Sequence, residues 1–367
     1  MVKMIFGVLI SEKIFLSLIN GKNIRGLKLL ACEAVKEGVK IIVFSPKGID
    51  WIDRSIDGAA YNALKDKWEP EKSSFPDIIY DRGIFNREEK ALGKLARKRF
   101  KKEYEIQFIN NKHYFNKWAF HKTFSAYEEL KRYLPGTEVC KDSAALVRFI
   151  NKYNTVYIKD SNGSRGENIY RVEMVDNEQA KIVYQDKEKV HEEKINLQDI
   201  YQWIKNGKLS NKKVILQQGI ELASVEGRPF DIRLLVQKNH LGVWQIVDKS
   251  ARIGASDKSI ITNISNGGEA RKFNDIVEVV FPEKSLTICD EVDKLVYNVC
   301  IRLEQKYGHL GELGIDLALD KYGVLWILEV NGKPAKTCVM HSKDKKSIHS
   351  AYNNIIQYSR YLVEKNQ

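Results

Sequence analysis

The chain predicts an α/β fold with α+β lobes, on the strength of two patterns. Near its start, short β-branched runs alternate with amphipathic stretches: MIFGVLI, then Ile24 to Glu37, then VKIIVFS, then FPDIIYD. Parallel strands need helical crossovers, so this alternation predicts a small α/β domain with a largely parallel sheet. Further on, helices, one strand, a glycine-bearing loop and paired strands follow each other. Strongly β runs then accumulate in VILQQGI, FDIRLLVQ, GVWQIVD and VLWILEVN, the composition of antiparallel lobes.

Taken in order, the segment KALGKLARKRFKK (Lys90 to Lys102) reads as an amphipathic helix with a heavily positive outer face, and a solvated face is the plain reading of it. Asn110 to Tyr114 marks a boundary. KWAFHKTFSAYEELKRYL is then helical as far as Pro135-Gly136, and a second helix, Ser143 to Lys152, precedes the strand TVYIKD. NIYRVEM and AKIVYQD follow as strands, and a helix from about Leu286 to Tyr307 leads into GELGIDLALD and VLWILEVN. Residues 347 to 365 suggest a closing amphipathic helix. The expected organisation is an N-terminal α/β domain over 1–110, a second lobe over 111–220 and a third over 221–367.

Composition narrows the class. With 43% hydrophobic and 29% charged residues in 367, the chain can bury a core without disulfides. Five scattered cysteines with no Cys-x-x-Cys spacing point to reduced thiols rather than zinc or redox chemistry. No stretch approaches the ~20 apolar residues of a membrane span. Ser11, Glu12 and Lys13 interrupt the first apolar run, so it reads as a buried strand rather than an export signal, and a cytoplasmic location is expected. The net charge of +12 favours anionic partners, yet no basic stripe is interleaved with aromatics for nucleic-acid readout.

Three clusters carry chemistry. On a hairpin formed by GELGIDLALD and VLWILEVN, Asp316 lies on one strand, while Glu329 and Asn331 share a face of the other. Such oxygen donors suit magnesium, and a solvated charged hairpin is the alternative. Lys159 ends a strand before Ser161-Asn-Gly-Ser-Arg-Gly166, where glycines let backbone N–H groups approach phosphate and the lysine adds charge. Without the Gly-Lys-Ser/Thr ending of a P-loop, a hairpin turn is the alternative. Arg233, Arg252 and Asn263, with Asp231, offer forks and amides for anions or metal, or else structural ion pairs.

In this order the motifs resemble the ATP-grasp superfamily. QQGI, GRPFDIR, TNISNGG and LEVN are similar to RimK-type glutamate ligases. FPDIIYDR, YFNKWAFHKTF, LPGTEV and GRPFDIRLLVQ resemble the YheC/YheD-like ATP-grasp proteins of spore-forming bacteria. The resemblance implies an ATP-grasp fold with an N-terminal pre-ATP-grasp domain. It also implies that Lys117 and Lys159 contact nucleotide phosphates and that the loop carrying Ser161, Gly163, Ser164 and Gly166 closes over them. Gln217, Gln218, Gly219 and Ile220 would form the adenine hinge, with Asp231 on the ribose side. Arg233, Arg252 and Asn263, with Lys159, would surround the transferred phosphate, and Asp316, Glu329 and Asn331 would bind Mg2+, or alternatively Mn2+.

A ligase is therefore expected, forming a C–N or related bond from ATP through an acylphosphate; a small-molecule kinase and a non-catalytic, spore-associated nucleotide binder are the alternatives. The turn Gly332-Lys-Pro-Ala-Lys336 places two lysines near the expected acceptor site, which suggests an anionic small-molecule or peptide carboxylate. Tyr80, Asp81 and Arg82 are candidate contributors to that pocket, or a structural ion pair. Removing Asp316 or Glu329 is expected to abolish turnover with modest loss of folding.

Overall fold

The computed structural model of the chain describes residues 4–163, 168–186, 189–257, 259, 262, 264 and 267–365. Among them lie three sheets. The first contains β1 (Ile5–Leu9), β2 (Lys40–Phe44), β3 (Ile49–Asp50), β4 (Ser55–Asn62), β5 (Lys67–Ser74), β6 (Ile78–Asp81) and β7 (Gln107–Phe108). Its order is β3-β4-β2-β1-β6-β7, with β5 on β4. β2, β1, β6 and β7 are mutually parallel, as the alternating sequence predicts. Helices α1 (Glu12–Ile19), α2 (Arg25–Lys36) and α3 (Glu89–Lys102) make the crossovers. Both faces of these strands are covered: Phe6, Val8, Ile41 and Val43 enter one core, Leu9, Ile42 and Phe44 the other.

The sequence reading lacked the antiparallel part, β3 to β5. β3 is only two residues long, β4 buries Ile56 and Ala59 without regular alternation, and β5 is polar and carries Pro70, which is tolerated because β5 pairs on one side only.

Helices α4 (Lys117–Phe124) and α5 (Glu128–Lys131) replace the single helix expected over 117–134. The Ser125 hydroxyl turns back to the His121 carbonyl at 2.7 Å and Tyr127 adopts an extended backbone, which ends the first helix. The second sheet is wholly antiparallel: β8 (Thr137–Val139), β9 (Thr155–Asp160), β10 (Ile169–Met174), β11 (Gln179–Asp186), β12 (Lys189–Asn196) and β13 (Val214–Gln218), in the order β12-β11-β10-β9-β13-β8. Helices α6 (Ser143–Tyr153) and α7 (Ile200–Asn206) cover one face through Leu146, Phe149, Ile150 and Ile204.

The third sheet contains β14 (Ser224–Val225), β15 (Arg228–Lys238), β16 (Trp244–Ile253), β17 (Glu269–Lys272), β18 (Glu312–Leu319) and β19 (Leu325–Asn331), ordered β17-β16-β15-β18-β19 with β14 on β15. Helices α8 (Phe273–Val280) and α9 (Ser285–Tyr307) cover the face formed by Phe230, Ile232, Leu234 and Val236, and Phe115, Phe120, Phe124 and Leu130 pack into the same core. After α10 (Thr337–Ser342), α11 (Lys345–Lys365) returns to the first sheet, where Tyr352, Ile355, Ile356 and Tyr358 pack with Phe6 and Val8. The chain's end thus completes the core of its beginning. Ile355→Ala, at a fully buried position of that seam, is expected to cost about 2–5 kcal/mol, read as a lower urea midpoint.

Candidate functional site

Strand periodicity sends the even-numbered residues of β15 into the core and leaves Asp231 and Arg233 on the opposite face. Register then pairs Asp231 with Arg252 and Arg233 with Asp316. The side chains follow the register. Arg252 donates Nε and Nη2 to the two oxygens of Asp231 at 2.7 and 2.5 Å, and Arg233 Nη1 donates to Asp316 Oδ1 at 2.6 Å. Arg252 Nη2 also lies 3.4 Å from Asp316 Oδ1, which links two carboxylates and two guanidiniums into a buried open square, Asp231–Arg252–Asp316–Arg233, with no bond between Arg233 and Asp231. Gly314 makes it possible: a Cβ there would lie 2.7 Å from Arg233 Nη2. Burial raises the Asp316 pKa, but the charges of Arg233 and Arg252 more than reverse this and hold the carboxyl below its usual range.

Asp316 pairs with Glu329 across β18 and β19, and the register slips just beyond them, so that Leu317 pairs with Ile327. The bulge brings both Leu328 and Glu329 to the cleft, where a regular strand would turn one of them away. Asn331 Nδ2 lies 3.5 Å from Asp316 Oδ2. Turning that amide over would present its oxygen beside two carboxylates. Among the described residues no group of three His, Cys, Asp or Glu gathers to hold a metal, so Asn331 is needed to complete an oxygen set. With Asp316 Oδ2 and the Glu329 carboxylate free of arginine, the donor chemistry fits a hard divalent cation.

The second sheet forms the facing wall. Tyr157, Lys159, Ile169, Gln217, Gln218 and Ile220 line one cleft with Lys117, Asp231, Arg252, Asp316 and Glu329. Lys159 Nζ donates to Gln217 Oε1 at 2.6 Å and lies 5.0 Å over the Tyr157 ring. Burial, reinforced by the Lys117 charge and opposed by Glu329, pushes its pKa down to about 8. Lys117 Nζ lies 3.6 Å from Glu329 and bonds the Gly163 carbonyl. Asn116, which the sequence reading did not single out, joins the two walls: it caps α4 by accepting from Ala119 N–H, and donates to the Ser161 carbonyl at 3.1 Å and Asn162 Oδ1 at 2.7 Å. An Asn directly before a helix was the signal available in the sequence.

The hinge is more committed than expected. Gln218 N–H donates to Gly136 O and its Oε1 accepts from Gly136 N–H, while Gly219 N–H donates to Thr155 O at 2.8 Å. A Cβ on Gly219 would strike Thr155. Ile220 N–H has no hydrogen-bond partner among the described residues and is the hinge group left open. In the loop, Ser161, Asn162 and Gly163 N–H donate to Lys213 O, Asp160 Oδ1 and Asp160 O, so these three are not open phosphate donors. Ser164, Gly166 and Asn263 lie outside the described residues.

The two lysines of the 332–336 turn are not unpaired charges. Lys333 Nζ lies 2.6 Å from Asp81 Oδ1, and Lys336 Nζ bonds Glu312 and, at 2.8 Å, the Tyr80 hydroxyl. Asp81 also binds Arg97 at 2.6 Å; Glu312 accepts from Tyr80 at 2.7 Å and from Arg82 at 3.4 Å. Burial opposes the ionisation of Asp81, but Lys333 and the groups around it hold its pKa well below the usual range. Burial pushes His113 down to about 3, so it is neutral. The charge argument for an anionic acceptor drawn from Lys333 and Lys336 therefore weakens. At this corner Lys333, Lys336, Arg82 and Arg97 share the two carboxylates of Asp81 and Glu312.

Residues 105–362 match the family described as YheC/D like ATP-grasp. The chain belongs to that family. A YheC/D-like relative, endospore coat-associated protein YheD of Bacillus subtilis (strain 168), is 26% identical over 328 residues, 88% of this chain and 70% of YheD. The structure of D-cycloserine synthetase DcsG superposes with a TM-score of 0.57 at 13% identity, covering 99% of this chain and 100% of DcsG. The ADP complex of PurK, N5-carboxyaminoimidazole ribonucleotide synthetase, gives 0.54 at 12% identity, covering 97% and 79%. At these identities the solved structures establish the fold, which is ATP-grasp.

The charge square changes what mutation of the acidic residues does. Asp316→Asn leaves Arg252 with Asp231 alone and Arg233 with no carboxylate partner, and is expected to cost about 3–5 kcal/mol in chemical denaturation. Glu329→Gln loses one pair at 3.6 Å and is expected to cost under about 1 kcal/mol. The expectation of modest loss thus fits Glu329 and not Asp316.

Proposed function

We propose that the protein is an ATP-dependent ligase that activates a carboxylate and joins it to an amine or related nucleophile. The observation that carries this is the convergence of Lys117, Lys159, Asp231, Arg252, Asp316 and Glu329 on one cleft between two antiparallel sheets. ADP bound to PurK, on the same fold, supports ATP as the cosubstrate.

In this reading Ile220 N–H reads the adenine ring, and Asp231 stands on the ribose side. Lys117 and Lys159 hold the phosphates by charge, and the N–H groups of residues 161–163, already donated, take no part. Asp316, Glu329 and Asn331 would hold Mg2+, or Mn2+, which when bound offsets phosphate charge. The substrate carboxylate attacks the γ-phosphorus and ADP leaves; the nucleophile then attacks the acyl carbon and phosphate leaves. Arg252, which lines the cleft, and Arg233, bonded to Asp316 beside it, are fixed by carboxylates and would act on the transferring group by positioning and electrostatics.

YheD's description as endospore coat-associated favours a second reading, a non-catalytic nucleotide binder associated with spores. A screen for ADP release across amino acids, small carboxylates and peptides separates the two. The ligase reading predicts substrate-dependent ADP release by the wild type and its loss, by about two orders of magnitude or more, in folded Glu329→Gln. Nucleotide binding with no turnover in any pool would contradict it.

The Lys159 pKa adds a pH dependence. With the folded value near 8 against an ordinary 10.5, the charge is present below pH 8 and lost above it. ATP affinity is expected to fall several-fold between pH 7 and 9, with proton uptake on binding at the higher pH. Lys159→Arg, permanently charged, is expected to flatten that profile in calorimetric titrations.

A further inference from the structure

The nucleotide cleft makes no use of the outer face of α3. From Arg87 to Lys102 there are eight basic residues and two acidic ones, Glu88 and Glu89. Lys90, Lys94, Lys98 and Lys102 follow at every fourth position, all exposed, and none has an ion-pair partner among the described residues. Like charges four apart on a helix repel, so the row works against the helix that carries it. The other basic side chains of α3 are engaged: Arg97 with Asp81, Arg99 with Glu103 and over Trp51 at 4.3 Å, and Lys101 with Asn111 at 2.9 Å. Arg97 and Lys101 lie one turn from Lys94 and Lys98 and carry the basic face to Asp81 and Lys333. Arg82 donates there to the Pro334 carbonyl at 2.9 Å, and Pro334 and Arg233 both abut Gly314. A series of contacts therefore leads from the basic face to Arg233, which bonds Asp316 of the cleft.

We infer that this face of α3 docks an acidic polypeptide and leads it toward the Arg82–Lys333 corner. Charge complementarity gives the acidic character. The exposed apolar side chains beside the lysines decide between polymers: Leu92 and Leu95, 41% and 44% exposed, can cover aliphatic groups of a peptide but offer no ring on which bases stack. The 14 residues of α3 rise about 21 Å, which an extended peptide of about seven residues spans. The surface lies apart from the nucleotide cleft, so it can be tested by binding alone, whether or not the ligase reading holds.

The test is fluorescence anisotropy of the full chain with a labelled oligoglutamate of about that length, beside an oligothymidylate of equal charge. Lys90→Gln, Lys94→Gln and Lys98→Gln are combined in one variant. A matched variant carries Lys205→Gln, Lys208→Gln and Lys212→Gln, exposed positions on and after α7 with the same loss of net charge. Because the substituted side chains are solvated, the matched variant is expected to melt as the wild type does and the α3 variant at the same temperature or slightly higher. The inference predicts that oligoglutamate binds, that the α3 variant weakens it by about tenfold or more, that the matched variant stays within about twofold, and that oligothymidylate binds more weakly than oligoglutamate. No oligoglutamate binding, equal losses in both variants, or equal or tighter binding of oligothymidylate would overturn it.

Discussion

Asp231 and Asp316 lie buried against Arg252 and Arg233 on one face of three adjacent strands, and the geometry of the cleft depends on that arrangement. Charges so removed from water are tolerable only when paired with good geometry. Here register supplies it: Asp231 opposite Arg252, Arg233 opposite Asp316, and glycine at 314 so that the Arg233 side chain can lie across β18. The square has no net charge. Its consequence is directional, because both arginines approach Asp316 through Oδ1 and leave Oδ2 toward Asn331 and the carboxylate of Glu329. A carboxylate that is structural at one oxygen and open at the other is what a metal-and-phosphate site at this position needs.

The opposite wall works by desolvation. Burial and the neighbouring Lys117 charge disfavour the Lys159 ammonium until an anion enters, although the Gln217 oxygen and the Tyr157 ring support it. Asn116 holds the start of α4 to the end of β9, so Lys117 is placed by the same contact that fixes the beginning of the loop. The two walls belong to different sheets with separate cores, and the cleft is where those sheets face each other. The first sheet is tied to the third through Glu312, which Tyr80, Arg82, Gln237 and Lys336 all contact.

What was legible in the sequence was whatever local pattern dictates. The parallel strands showed as apolar runs between amphipathic stretches, and the Asp316, Glu329, Asn331 set showed as period-two spacing on a hairpin. The β4–β5 hairpin was not legible, because β4 lacks regular alternation and β5 is a polar edge strand with a proline. Pairing was equally hidden. Nothing local announces that Lys333 meets Asp81 on the first sheet or that Lys336 meets Glu312 at the start of β18, since both partners are set by tertiary packing, so the turn looked like surplus positive charge. The bulge that turns Leu328 and Glu329 toward the same cleft is likewise a property of two strands in register, invisible in either alone.

The central claim, that this cleft holds a nucleotide through an ion bound by the β18–β19 hairpin, is tested most directly by calorimetric titration of ADP with Mg2+ and with EDTA, in the wild type and in Glu329→Gln. The account predicts binding that is strong with Mg2+, much weaker with EDTA, and insensitive to Mg2+ in the variant. Equal affinity with and without Mg2+ in the wild type, or an undiminished Mg2+ effect in folded Glu329→Gln, would contradict it.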